Sequence, residues 1–247
     1  AEWADRYVMF ATASGSVRRN DLADFKRVRA NGKIAMKLPE GDRIVGVAIC
    51  DANDDILLSG RRGKCIRFPV IDVRVFKSRD SVGVRGIRLV GDDELIAMSI
   101  VRHAEFDSDT RDRYLRWSNA RRRAEGEGES SADPLPSAPE QADEMAAAEQ
   151  FVLSITENGY GKRTSAYEYR VTGRGGQGII NIEASDRNGP VVASAPVEED
   201  HHIMLVTDTG RLIRTPVHDI RIAGRNTQGV TLFDVEPNER VVSVAWL

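Results

Sequence analysis

Two cysteines, four histidines and an aromatic share of 6% leave this chain of 247 residues short of most catalytic raw material. Cys50 and Cys65 do not form a Cys-x-x-Cys pair, so both read as reduced, partly buried thiols, and zinc or redox motifs find no support. His201-His202 stand without a further Cys or His at ligand spacing. His218 sits beside Asp219, with no serine or cysteine at a triad position. The run Gly173-Arg174-Gly175-Gly176-Gln177-Gly178 lacks the Lys-Ser/Thr ending of a phosphate-binding P-loop. No catalytic residue, metal ligand or cofactor is therefore assigned. No apolar run approaches a membrane span, and no secretory signal precedes the first strand. The chain opens on Ala1 almost directly at a strand, which reads as a fragment of a longer cytoplasmic protein with no membrane partner.

Positive charge is also scarce overall, at a net −3. It is unevenly spread. Residues 104–149 hold twelve acids and six bases, which leaves the rest of the chain at about +3. Such a modest excess becomes effective only where it is clustered.

What the chain does have is a unit of roughly 48 residues repeated four times. The copies span about 6–50, 53–101, 150–197 and 200–247. Each opens on an apolar run, such as Val8-Met9-Phe10-Ala11 or Ile203-Met204-Leu205-Val206, which reads as a buried strand. Each run ends in a turn closing on Gly15, Gly63, Gly159 or Gly210, as a tight hairpin requires. Four residues later stands an arginine: Arg19, Arg67, Arg163 or Arg214. A second glycine follows at Gly32, Gly83, Gly178 or Gly229, preceded by Arg29, Arg79, Arg174 or Arg225. A third strand then follows, such as Ile34 to Leu38 or Val230 to Phe233. A fourth closes the copy, as in Ile44 to Ile49 and Val241 to Trp246. The expected fold is all-β: about four four-stranded antiparallel blades in one domain, each covering its neighbour's apolar face.

Residues 104–149 break the repeat. A short helix is expected over Asp107 to Arg123, with acids at its start and arginines at its end. Glu125 to Pro139 reads as a disordered linker, and Glu140 to Glu149 as a second short helix. The run Arg121-Arg122-Arg123 has two readings, a phosphate contact and a solvated helix end, and the second is the expectation.

Several strings carry a family resemblance: Ala11-Thr12-Ala13-Ser14-Gly15-Ser16-Val17-Arg18-Arg19, Gly83-Val84-Arg85-Gly86-Ile87-Arg88-Leu89, Asn158-Gly159-Tyr160-Gly161-Lys162-Arg163-Thr164 and Gly224-Arg225-Asn226-Thr227-Gln228-Gly229-Val230. They resemble the C-terminal domain of bacterial DNA gyrase A, over nearly everything outside 104–149. The resemblance implies a β-pinwheel, a propeller-like disc whose blades exchange strands and around whose basic rim duplex DNA wraps. It implies partners as well: double-stranded DNA, the N-terminal part of gyrase A, and gyrase B. It also implies a parent enzyme that uses ATP and magnesium elsewhere to introduce negative supercoils. This chain matches about the last four of six blades, and neither the first blade's gyrase box nor the DNA-cleaving tyrosine falls within it.

On that footing the repeat-matched bases are expected to line the rim: Arg19, Arg29, Arg67, Arg79, Arg163, Arg174, Arg214 and Arg225, with neighbours Arg18, Lys33, Arg85 and Lys162. Neutralising about eight phosphates gives a slope of log affinity against log salt near −7. Two rival readings remain: the related C-terminal domain of topoisomerase IV, and a protein-interaction scaffold whose acidic insertion docks a partner or covers the basic rim.

Overall fold

The structure is a computed structural model that describes residues 3–27, 30–77, 81–127 and 135–247. In the first copy β1 (Tyr7–Thr12) and β2 (Ser16–Asp21) form the hairpin and β3 (Ile44–Cys50) returns beside β1. Residues 34–38 are not a strand, contrary to the sequence expectation. In the second copy β4 (Asp54–Gly60) and β5 (Lys64–Pro69) are the hairpin, β6 (Val84–Arg85) is two residues long, and β7 (Leu95–Arg102) lies on β4. The third copy repeats this with β8 (Phe151–Thr156), β9 (Tyr160–Ser165), β10 (Ile179–Ile180) and β11 (Val191–Val197). The fourth contains β12 (His202–Thr207), β13 (Leu212–Pro216), β14 (Val230–Thr231) and β15 (Val241–Trp246).

The third strand of a copy does not stay with its own sheet. β6 pairs with β2, β10 with β5, and β14 with β9, each crossing to the preceding sheet. Three antiparallel sheets therefore have four strands, and the fourth has three, in the order β13-β12-β15.

One device secures every crossing. The carbonyl of the hairpin glycine accepts two successive backbone N–H groups from the visiting segment. Gly15 O takes Gly86 and Ile87, Gly63 O takes Asn181 and Ile182, and Gly159 O takes Leu232 and Phe233, all at 2.8 to 3.2 Å. The turn must be open enough to admit that segment. Gly159 has φ +77°, and a Cβ there would collide with the Phe233 carbonyl.

The sheets stack in series: β3 packs on β7, β7 on β11, and β11 on β15. One core is built on Met9, Ile56, Leu58, Phe68 and Leu95, and another on Leu153, Ile155, Ile203, Leu205 and Val241. The alternation of each strand sends these side chains inward.

The insertion forms α1 (Ser108–Arg122), one π turn at Arg123–Glu127, and α2 (Ala142–Ala148). The Asp107 side chain caps α1 by accepting the Thr110 N–H at 2.8 Å. Of the expected linker, residues 128–134 lie outside the described residues and 135–139 have no regular structure. Tyr114 of α1 is buried against Tyr167, ring centroids 5.5 Å apart, and its hydroxyl donates to Glu149 at 2.8 Å. Those contacts fix α1 to the third copy.

Candidate nucleic-acid interface

In the first three copies the arginine four residues past the hairpin glycine is buried rather than turned to a rim. Arg19, Arg67 and Arg163 are 7, 5 and 3% exposed. Arg67 donates Nε to Asp55 at 2.8 Å and Nη1 to the Ala166 carbonyl at 2.8 Å. Arg163 donates Nε to the Ile220 carbonyl at 2.6 Å and Nη2 to that of His218 at 3.1 Å, and pairs with Glu199. Ala166 belongs to the short 3-10 turn that follows β9, and His218 to the equivalent turn after β13. So Arg67 and Arg163 reach out of their own copies into the turn of the next, whereas Arg19 lies over the Tyr7 ring of its own copy at 4.4 Å. The backbone joins at the same place: Arg19 bridges Val75, Arg67 bridges Val171, and Arg163 bridges Ile222. Arg214 holds the same repeat position in the last copy and is exposed.

At Arg67 and Arg163 the recurring position is a tie between copies rather than an exposed charge. Burial of a guanidinium is costly without acceptors on its nitrogens, and carbonyls and carboxylates supply them to Arg67 and Arg163. Desolvation lowers the Arg67 pKa, and Asp55 opposes it.

Arg18 and Lys162, one residue earlier, are likewise fully buried. Arg18 donates Nη1 to the carbonyl and hydroxyl of Ser81, at 2.5 and 2.9 Å. The Lys162 ammonium faces four oxygens: the Gly224 and Arg225 carbonyls at 2.5 and 2.7 Å, and the Thr227 hydroxyl and carbonyl at 3.1 and 3.2 Å. Burial lowers its pKa to about 7, against the pull of Glu168. Lys162 thus organises the loop that carries Arg225.

The other expected residues divide differently. Arg85, Arg174 and Arg214 are exposed, and Lys33 and Arg225 half-buried. Lys33 donates to the Asp24 carbonyl. Arg29 and Arg79 lie outside the described residues. Arg174 and Arg225 are held alike. Arg174 donates Nη1 to the Arg85 carbonyl on β6 at 3.0 Å and Nε to the Asp72 carbonyl at 3.0 Å. Arg225 donates Nη1 to the Ile180 carbonyl on β10 at 2.7 Å, and its backbone N–H donates to Glu168 at 2.9 Å. A base from one copy therefore sits across the visiting strand of the copy before it.

A second recurring base was not recognised in the sequence. Eleven residues past each hairpin glycine stand Lys26, Arg74, Arg170 and Arg221, all exposed. The residue just before is buried in three copies (Val73, Tyr169, Ile220), which turns the base outward. The signal was present: an acid stands two residues earlier in every copy, at Asp24, Asp72, Glu168 and Asp219. Arg74, Arg85 and Arg174 thus gather near one junction, and Arg170 and Arg225 near the next. Arg74 stacks on the Phe76 ring at 4.1 Å, which limits its wandering.

Burial pushes the thiols of Cys50 and Cys65 up to about 12. At neutral pH both stay protonated and are poor nucleophiles. Among the described residues no three His, Cys, Asp or Glu side chains gather as a metal site.

Comparison with known proteins adds a lineage to this geometry. The family described as DNA gyrase C-terminal domain, beta-propeller, matches residues 6–51, 54–102, 150–198 and 201–245. The DNA gyrase A protein of Granulibacter bethesdensis is 50% identical over 259 residues, covering 98% of this chain and 28% of that protein. The gyrase A protein of Salmonella typhimurium is 36% identical, covering 96% of this chain and 22% of its own length. The chain therefore spans about a quarter of these relatives. A solved DNA gyrase A C-terminal domain superimposes with TM-score 0.70 at 23% identity, over 98% of this chain and 66% of that one. A DNA topoisomerase IV C-terminal domain gives 0.74 at 19%, over 98% and 62%. At such identities the two structures speak to fold alone.

Proposed function

We propose, for a chain that belongs to the DNA gyrase C-terminal domain family, that its exposed junction bases hold and bend duplex DNA. The bound duplex would serve negative supercoiling by a longer enzyme built from gyrase A and gyrase B proteins, whose strand cleavage and ATP use lie in other parts. One observation carries this reading. The same arrangement recurs at successive junctions: Arg174 across the Arg85 carbonyl, then Arg225 across the Ile180 carbonyl, with Arg74 and Arg170 beside them. Bases repeated at the pitch of the sheets meet a polyanion whose charges also repeat.

Arg74, Arg85, Arg170, Arg174 and Arg225 would neutralise about five phosphates and give a salt slope near −4.5. That replaces the steeper slope expected when the buried arginines were counted. Bending 20–30 base pairs by 40–90° costs about 1–6 kcal/mol, so the contacts must act together. Phosphate contacts carry no direct base readout, so binding is sequence-independent.

The identities of 36–50% are to gyrase A proteins, which favours the gyrase reading over topoisomerase IV. The test is a sealed-plasmid assay. Plasmid relaxed and ligated with the chain bound should emerge with a shifted linking number. Arg85→Gln with Arg174→Gln should shrink the shift. An unshifted plasmid at low salt would refute the proposal.

A further inference from the structure

We infer that the insertion helix α1 adds a second wall to the DNA track, forming a cleft that grips the phosphodiester backbone. The inference rests on the DNA-holding function proposed above. A cleft of about 940 Å³ lies between α1 and the junction of the third and fourth copies. Arg111, Arg116 and Arg123 line it from the insertion, and Arg170 and Arg225 from the repeats. Asp112 and Glu168 are the carboxylates on its wall. Five guanidiniums against two carboxylates leave an excess of positive charge in a concave site, where low-dielectric walls strengthen its field.

The guanidiniums are poorly compensated. Among the described residues Arg116 and Arg123 each donate only to a main-chain carbonyl one turn back, Asp112 O and Asn119 O, at 3.2 Å. Arg170 and Arg111 have no carboxylate partner among the described residues. Arg111 and Arg225 each bury an Nε that finds no hydrogen-bond partner among the described residues. For Arg225 the Glu168 carboxylate stands off at 4.0 Å. A buried donor without an acceptor is costly, and a phosphate oxygen would supply one.

The insertion as a whole is acidic, yet α1 carries five arginines and two aspartates. Tyr114 pins this helix to Tyr167, three residues before Arg170. The acidic segment therefore turns a basic face to the track rather than masking it.

The test measures linear duplex binding by fluorescence anisotropy across a salt series. Arg116→Gln with Arg123→Gln should lower the salt slope by about 2 and weaken binding tenfold or more near 0.1 M salt. Both side chains are exposed, and unchanged thermal unfolding will show that the fold survives. Arg113→Gln with Arg121→Gln is the control. Those arginines ride the same helix outside the cleft, paired with Asp109 and Glu125. An equal loss in both pairs would overturn the cleft, because general helix charge would explain it. No loss in the cleft pair, with Arg174→Gln still weakening binding, would overturn the cleft alone. A parent chain that ignores DNA at low salt would overturn both readings. Titration with inorganic pyrophosphate separates DNA from free phosphate compounds. Millimolar or weaker binding supports the backbone assignment, and micromolar saturation overturns it.

Discussion

Arg174 donates its Nη1 to the carbonyl oxygen of Arg85 at 3.0 Å, a bond that holds two cationic residues together and neutralises neither. Charge in a folded protein is usually brought together to cancel. Here it is gathered by backbone acceptors and left facing water.

Substituting Arg85 with alanine tests that charge directly. The side chain is exposed and its carbonyl, not its guanidinium, makes the structural bond. Stability should stay within about 0.5 kcal/mol of the parent. The salt slope of DNA binding should fall by about 1. A change in urea midpoint with no change in slope would assign Arg85 to structure instead.

Arg67→Ala and Arg214→Ala occupy one repeat position and should part company. Removing Arg67 leaves the fully buried Asp55 with His103 alone and takes one of two donors from the Ala166 carbonyl, costing about 3 kcal/mol. Removing the exposed Arg214 should cost less than about 0.5 kcal/mol. Chemical denaturation of the two variants side by side is sufficient, and equal losses would contradict the junction-tie account.

Lys162 makes stability depend on pH. Burial lowers its pKa to about 7 in the folded chain, from an ordinary lysine value of 10.5. Between those values the unfolded chain binds a proton that the folded chain does not, so stability rises with pH across that window. Lys162→Met removes the titrating group and should flatten this rise. If parent and variant gain equally between pH 7 and pH 10, the effect belongs to other groups.

Gly159→Ala and Gly210→Ala separate backbone strain from crowding. Both glycines have positive φ, +77° and +85°. A residue with a Cβ costs roughly 1–2 kcal/mol there on conformation alone. Gly210 has open space around it, so the alanine should cost no more than that. At Gly159 the methyl meets the Phe233 carbonyl, so the variant should lose the β14 crossing and a further measurable share of its melting temperature.

Much of the architecture was legible in the sequence because strand runs and hairpin glycines recur at a fixed period. The crossings themselves came from the family resemblance, since a two-residue strand such as Val84–Arg85 has too little pattern to announce its partner. The third strand expected at Ile34 to Leu38 failed for a related reason: the other third strands cross to the preceding sheet, and the first copy has no preceding sheet among the described residues. The site was less legible. Recurrence at Arg19, Arg67 and Arg163 reports that these places share one environment, and that environment proved to be an interior. The bases at Lys26, Arg74, Arg170 and Arg221 recur just as faithfully, but their exposure depends on the short turn before them. That turn has no strong signature beyond a single acid.

Because every crossing runs from a later copy to an earlier one, the array has a sense, like overlapping roof tiles. Along β13, Leu212–Pro216, no visiting strand covers the outer margin among the described residues. Amides on that margin should exchange with deuterium before those of β2, β5 and β9, so this end of the series would loosen first while its neighbours hold.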